Sequence, residues 1–121
     1  LDPSPTPEAL VYRGLVYRNA GRYEEALADF ESALERGFDE GWVLANRGIA
    51  YRAMGRYEES LADFDRTIEL RPDIPWALAS RGRTLLRMGR LEEAFADFDR
   101  SIELYPDDPS RVISLKRDYG A

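Results

Sequence analysis

The chain has 121 residues, 44% of them hydrophobic and 33% charged, and carries a formal net charge of -6. Cysteine and histidine are both absent, which excludes disulfides, thiolate or imidazole metal sites, cysteine nucleophiles and every catalytic triad built on an imidazole base. The acidic balance argues against non-specific binding to phosphate backbones, and no apolar run approaches the roughly 18 residues that a membrane span needs.

The chain opens at Leu1, and "LDPSPTPEA" lacks the apolar stretch of a secretory signal. Residues 1–6 therefore read as a proline-rich linker within a piece of a longer protein, with a cytoplasmic location as the expectation. From Pro7 onward one pattern governs the chain. "GRYEEALADF" at 21–30 returns as "GRYEESLADF" at 55–64 and as "GRLEEAFADF" at 89–98, each copy 34 residues after the last. A fixed period of this length points to a stacked architecture before it points to an active site.

Aligned on that period, the units are 7–40, 41–74 and 75–108. In the first, Leu10, Gly14, Tyr17 and Ala20 share one helical face, and after Gly21 so do Tyr23, Ala26, Leu27, Phe30, Ala33 and Leu34, with Glu24, Glu25, Asp29 and Glu31 turned to solvent. The second repeats this with Leu44, Gly48, Tyr51, then Tyr57, Leu61, Phe64, Ile68; the third with Leu78, Gly82, Leu85, then Leu91, Phe95, Phe98, Ile102. Thr6 before Pro7 and Asp108 before Pro109 read as capping side chains ahead of a first-turn proline. Asp39, Asp73 and Asp107 recur near the start of each following hairpin, and Pro72 and Pro106 stop the preceding helices. Period-two alternation is missing, so an all-α chain is expected. Residues 109–121 place Val112, Leu115 and Tyr119 on one face but put Lys116 where the units have glycine, which predicts a C-terminal capping helix in place of a further repeat.

These residues resemble the tetratricopeptide repeat, a helix-turn-helix unit of 34 residues. The resemblance rests on Gly14, Gly48 and Gly82, on Tyr17 and Tyr51, on Ala26 and Ala94, on Phe30, Phe64 and Phe98, and on Ala33, Pro72 and Pro106. Ser60, Thr67, Ser101, Phe38 and Leu85 depart from it, and arginine replaces the usual leucine at Arg13, Arg47 and Arg81, where Asp29 and Asp63 offer surface ion-pair partners. The family implies an α-solenoid of three hairpins in a right-handed superhelix, without a cofactor, whose first helices line a concave surface that grips an extended peptide.

Carried over, the groove positions are Glu8, Val11, Tyr12, Leu15, Arg18 and Asn19, then Trp42, Ala45, Asn46, Ile49, Arg52 and Ala53, then Trp76, Ala79, Ser80, Arg83, Leu86 and Arg87. Charge supports such a face, because residues 8–20, 42–54 and 76–88 hold seven arginines against one glutamate, while 22–36, 56–70 and 90–104 hold six against fifteen acids. The expected partner is another protein or a peptide that is acidic and apolar, bound by a protein-interaction or scaffold module. Arg83 and Arg87, without counterparts in the first unit, are its leading contacts. Trp42 and Trp76 share one phase that serves equally for packing between repeats and for ligand contact. The Glu-Glu pairs at 24–25, 58–59 and 92–93 read as helix N-terminal charge. The family's carboxylate clamp for chaperone tails maps onto Val11, Leu15, Asn46, Trp76 and Ser80, of which Asn46 alone agrees, so that ligand is disfavoured. The alternative to peptide binding is a structural spacer or self-association array in a larger signalling protein, forming a homo-oligomer through the groove or the termini. Enzymatic chemistry has no phosphate-cradling loop, metal cluster or nucleophile–base pair to rest on.

Overall fold

Helices form where apolar residues recur three and four apart, and they break at the glycines. The computed structural model describes residues 4–107, which fold into α1 (Pro7–Asn19), α2 (Tyr23–Glu35), α3 (Glu40–Ala53), α4 (Tyr57–Leu70), α5 (Pro75–Arg87) and α6 (Leu91–Leu104). No strand occurs among the described residues, and the helix limits lie within two residues of those read from the sequence. The expected cap at 109–121, its Asp108 capping residue and the first three linker residues lie outside the described residues. Each odd-numbered helix packs along the next one, making three hairpins, and α3 and α5 also lie on the hairpin before them. The result is an all-α solenoid.

The repeated decapeptide builds the hairpin turn. Gly21, Gly55 and Gly89 take φ values of 78°, 77° and 77°, a left-handed conformation that costs a residue with a Cβ but not glycine. The arginine that follows donates its backbone N–H back to Tyr17, Tyr51 or Leu85 at 2.8, 2.8 and 2.9 Å, closing the preceding helix with a wrapped C-terminal turn. Its side chain then reaches forward to the second glutamate of the next helix, pairing Arg22 with Glu25, Arg56 with Glu59 and Arg90 with Glu93. Arg22 and Arg56 also lie 4.9 and 4.7 Å from the ring centres of Tyr17 and Tyr51. Turn, helix stop and helix start are thus written in five residues.

Caps follow the sequence only in part. Thr6 accepts from the Ala9 N–H at 3.1 Å, and Asp39 accepts from the Trp42 N–H at 3.4 Å. Asp73, which lies near the start of α5 as its recurrence implies, makes no cap hydrogen bond to it. Ile74 occupies the cap position, and Asp73 is drawn instead to Arg71 at 2.9 Å, whose guanidinium also holds Asp39 at 2.8 Å. In the linker, the Pro5 carbonyl accepts from Arg36, tying the start of the chain to the end of α2.

Phe30, Phe64 and Phe98 are buried where the two helices of each hairpin meet. Their rings occupy the space a side chain would need at the facing glycine: a Cβ would lie 2.6 Å from the Phe30 ring at Gly14, and 3.1 Å from Phe64 and Phe98 at Gly48 and Gly82. Beside each ring sits an ion pair. Arg13, Arg47 and Arg81 each donate Nε and Nη2 to Asp29, Asp63 and Asp97, every bond 2.8 Å long. Asp29 therefore does not face solvent, and Asp63 is no surface partner. All three aspartates are buried, because the guanidinium bound to each carboxylate offsets the cost of removing it from water. Burial raises the Asp63 carboxyl above the usual range while Arg47 opposes the rise.

A second correction concerns α6. Leu91, Phe95 and Ile102 share the core phase of the earlier second helices yet are exposed, Phe95 by 53% against 5% for Leu27 at the same phase. Leu27 is covered by the following hairpin, and no described hairpin follows α6. Within the core, Thr67 donates to the Gly41 and Asp63 carbonyls at 2.9 Å each, and Ser60 bonds Thr84 at 3.0 Å across the second interface.

The glycine contacts set a graded expectation. Replacing a helical glycine by alanine gains about 1 kcal/mol of helix propensity, whereas forcing a buried ring aside costs about 1–3 kcal/mol. Gly14→Ala, with the 2.6 Å contact, is expected to lower stability, while Gly48→Ala at 3.1 Å stays near neutral. Urea unfolding followed by circular dichroism measures both, and equal effects would refute the steric account.

Candidate functional site

The first helices approach one another directly, α1 touching α3 and α3 touching α5, whereas the second helices α2, α4 and α6 make no mutual contact. In a bent stack the elements that close on one another lie on the inner side. The residues expected to form a groove are therefore carried by the helices that converge, and the structure sorts them into three groups.

Val11, Ala45 and Ala79, carried over as groove positions, are core residues with at most 1% exposure. Their phase falls one step toward the second helix, so each is sealed inside the stack. They cannot touch a ligand.

A second group fastens the stack together. Arg18 donates Nη1 to the Asn46 side-chain oxygen at 3.2 Å and to its carbonyl at 3.4 Å. One repeat later Arg52 donates Nη1 to the Ser80 carbonyl at 2.8 Å, with its guanidinium 5.9 Å from the Phe64 ring centre. Both contacts bridge consecutive first helices. Asn46 is itself held by its amide, which donates to the Trp42 carbonyl at 2.9 Å. Burial lowers the Arg18 pKa below its ordinary value, a sign of how far that cation is drawn from water. Trp42 belongs here too: its ring meets Tyr12 of the first hairpin edge-on at 5.9 Å and Phe38 at 6.2 Å, so it packs between repeats. Leu15 is half-buried against the same cluster.

The third group remains available to solvent. Tyr12 and Asn19 are exposed on α1, and Trp76 is half-buried at the start of α5, with no ring pair among the described residues. Ile49, Arg52, Ala53, Tyr57, Arg83 and Arg87 enclose a cavity of about 270 Å³ between the second and third hairpins. Three arginines and no carboxylate line it. A larger cavity of about 340 Å³ lies among Leu61, Asp65, Arg81, Leu85, Arg90, Glu93, Ala96 and Asp97. Its charges are already matched, Arg81 to Asp97 and Asp65 and Arg90 to Glu93, so it has little field to offer an ion.

The sequence reading missed the Ser60–Thr84 bond, although a signal was present. The corresponding pair in the first interface is Ala26 and Ala50, and both members become polar together one repeat later. It also missed that Arg81 spans two hairpins, reaching Asp65 at 3.2 Å.

A family model described as tetratricopeptide repeat matches residues 5–73, and another of the same description matches 46–109. The chain belongs to the tetratricopeptide repeat family. No curated protein matches it. Similar solved structures include the first TPR domain of the human RPAP3 protein, with a TM-score of 0.82 at 23% identity over 94% of this chain and 90% of that one. The second TPR domain of human RPAP3, in complex with the HSP70 peptide SGPTIEEVD, gives 0.75 at 27% identity over 94% and 98%. The Arabidopsis OM64 TPR domain gives 0.81 at 18% identity over 94% of each chain.

The fastening role of Arg52, whose side chain also lines the cavity, is measurable. A hydrogen bond from a charged group contributes about 1.5–3 kcal/mol, so Arg52→Met is expected to destabilise the fold by that order. Asn19→Ala, at an exposed position, is expected to stay within about 0.5 kcal/mol of wild type. Paired denaturant melts decide it, and a neutral Arg52→Met would remove Arg52 from the stack.

Proposed function

We propose that this chain is a protein-interaction module that holds an acidic, apolar peptide segment of another protein along the face made by α1, α3 and α5. The observation that carries the reading is the cavity lined by Arg52, Arg83 and Arg87 with no carboxylate among its lining residues. A concave, partly dry wall of one sign concentrates its field and favours an oppositely charged group, which steers encounter and fixes register. Ile49, Ala53 and Tyr57 supply the apolar part of its lining, the kind of surface on which binding energy concentrates.

The chaperone peptide held by the human RPAP3 domain suggests one ligand class, but the positions equivalent to a carboxylate clamp speak against it here. Val11 is fully buried, and Asn46 is occupied by Arg18 and Trp42. Leu15, Trp76 and Ser80 offer no cation for a terminal carboxylate. The recognised acidic group is therefore placed at the Arg83–Arg87 end of the face.

Titration of the full chain with a fluorescent Glu-Glu-Val-Asp peptide is expected to show no micromolar binding. A panel of internal acidic peptides carrying an aromatic or leucine residue is expected to yield binders. Arg83→Glu combined with Arg87→Glu should abolish their binding while the circular-dichroism melt barely moves. Retained binding, or loss of fold along with it, would overturn this assignment.

A further inference from the structure

The cavity between the second and third hairpins is lined by three guanidiniums, those of Arg52, Arg83 and Arg87, with Ile49, Ala53 and Tyr57 as its apolar part. A carboxylate brings two oxygens and one negative charge, which a single guanidinium fork already matches. A phosphoryl group brings about 1.5–2 negative charges at neutral pH and three strong acceptor oxygens, one for each arginine. Each guanidinium carries five N–H donors, so a bond at one nitrogen does not exhaust it. We propose, resting on the peptide-binding reading above, that the acidic group held in this cavity is the phosphoryl group of a phosphorylated side chain in the bound segment.

The matching place one repeat earlier has different chemistry. There Arg18 stands at the phase of Arg52, while Ile49 and Ala53 stand at the phases of Arg83 and Arg87, and Tyr23 at that of Tyr57. One cation becomes three while the tyrosine is kept. Arg83 and Arg87 lie four apart on α5, where like charges oppose each other, and an anion that touches both removes the opposition. Arg52 reaches the same cavity from α3 already pinned. It is 9% exposed, its Nη1 donates to the Ser80 carbonyl at 2.8 Å, and its guanidinium lies 5.9 Å from the Phe64 ring centre. A fork fixed in this way has given up its rotamer freedom before a ligand arrives, so less is lost on binding.

Size and charge narrow the source of the phosphoryl group. At about 270 Å³ the cavity is smaller than the roughly 300–1,000 Å³ of clefts that enclose a drug-sized molecule, which suits one side-chain head and is too small to enclose a whole nucleotide. A nucleic-acid strand would also bring its run of phosphates against a chain of net charge -6. A single phosphorylated residue flanked by apolar ones meets both limits.

The acidic peptides carrying an aromatic or leucine residue, each made with serine, glutamate or phosphoserine at one central position, test this on the full chain by fluorescence anisotropy. One further charge-assisted hydrogen bond is a gain of about tenfold or more, so the phosphoserine form is expected to bind at least about tenfold more tightly than the glutamate form, and the serine form more weakly than either. In Arg83→Gln with Arg87→Gln the preference for phosphoserine over glutamate should vanish. Inorganic phosphate is expected to displace the phosphopeptide only at concentrations far above the peptide's own. Equal affinity for the glutamate and phosphoserine forms would overturn the phosphoryl assignment and leave peptide binding standing, whereas no binding by any form would overturn both. A preference that survives in the folded double variant would overturn the placement in this cavity, and displacement by inorganic phosphate at the peptide's own concentration would make the ligand a free ion and overturn the peptide source. The comparison of the three forms uses the wild-type chain, so its outcome stands whether or not the double variant folds.

Discussion

Everything in this chain follows from the inability of one helical hairpin to bury its own apolar face. Leu27, Leu61 and Phe95 occupy one phase of three successive second helices, and what distinguishes them is the neighbour alone: buried under α3, half-buried under α5, and exposed where no described hairpin follows. Burial is worth about 25 cal/mol per Å² of apolar surface removed from water, so the same side chain stabilises the middle of the stack and not its end. Stability in such an array is a sum over neighbours. The repeat of 34 residues is the sequence's record of that sum.

Arginine carries three distinct tasks, separated by position within the repeat. At Arg13, Arg47 and Arg81 it clasps a buried aspartate of the second helix, locking the hairpin whose interior is the phenylalanine ring against glycine. At Arg18 and Arg52 it bonds forward to the next first helix. Only the third hairpin places arginines at Arg83 and Arg87, where the first two carry Leu15 and Ile49, Asn19 and Ala53. The excess of cations counted along the first helices is thus largely neutralised or engaged within the fold. Arg83 and Arg87 lie together in the lining of the cavity between the second and third hairpins.

The helices and their limits were legible in the sequence because they depend on period, which repetition displays three times over. The burial of Asp29 was not. A lone aspartate on a helix reads as a solvated one, and only the arginine sixteen residues earlier, recurring as 13 with 29, 47 with 63 and 81 with 97, reveals the pair. Asn46 and Arg52 were placed on the correct helix as groove positions, but their bonds along the stack to Arg18 and Ser80 were not legible, since a phase does not show a side chain that reaches to the next repeat.

The separation of these roles has a consequence for how such a module works. The hairpins are joined by buried Ala50, Ser60 and Thr84 and by the forward bonds of Arg18 and Arg52, whereas Asn19 and Arg87 are exposed. Substitution at one set leaves the other's surface unaltered, so partner choice can change without disturbing how hairpins lean on one another.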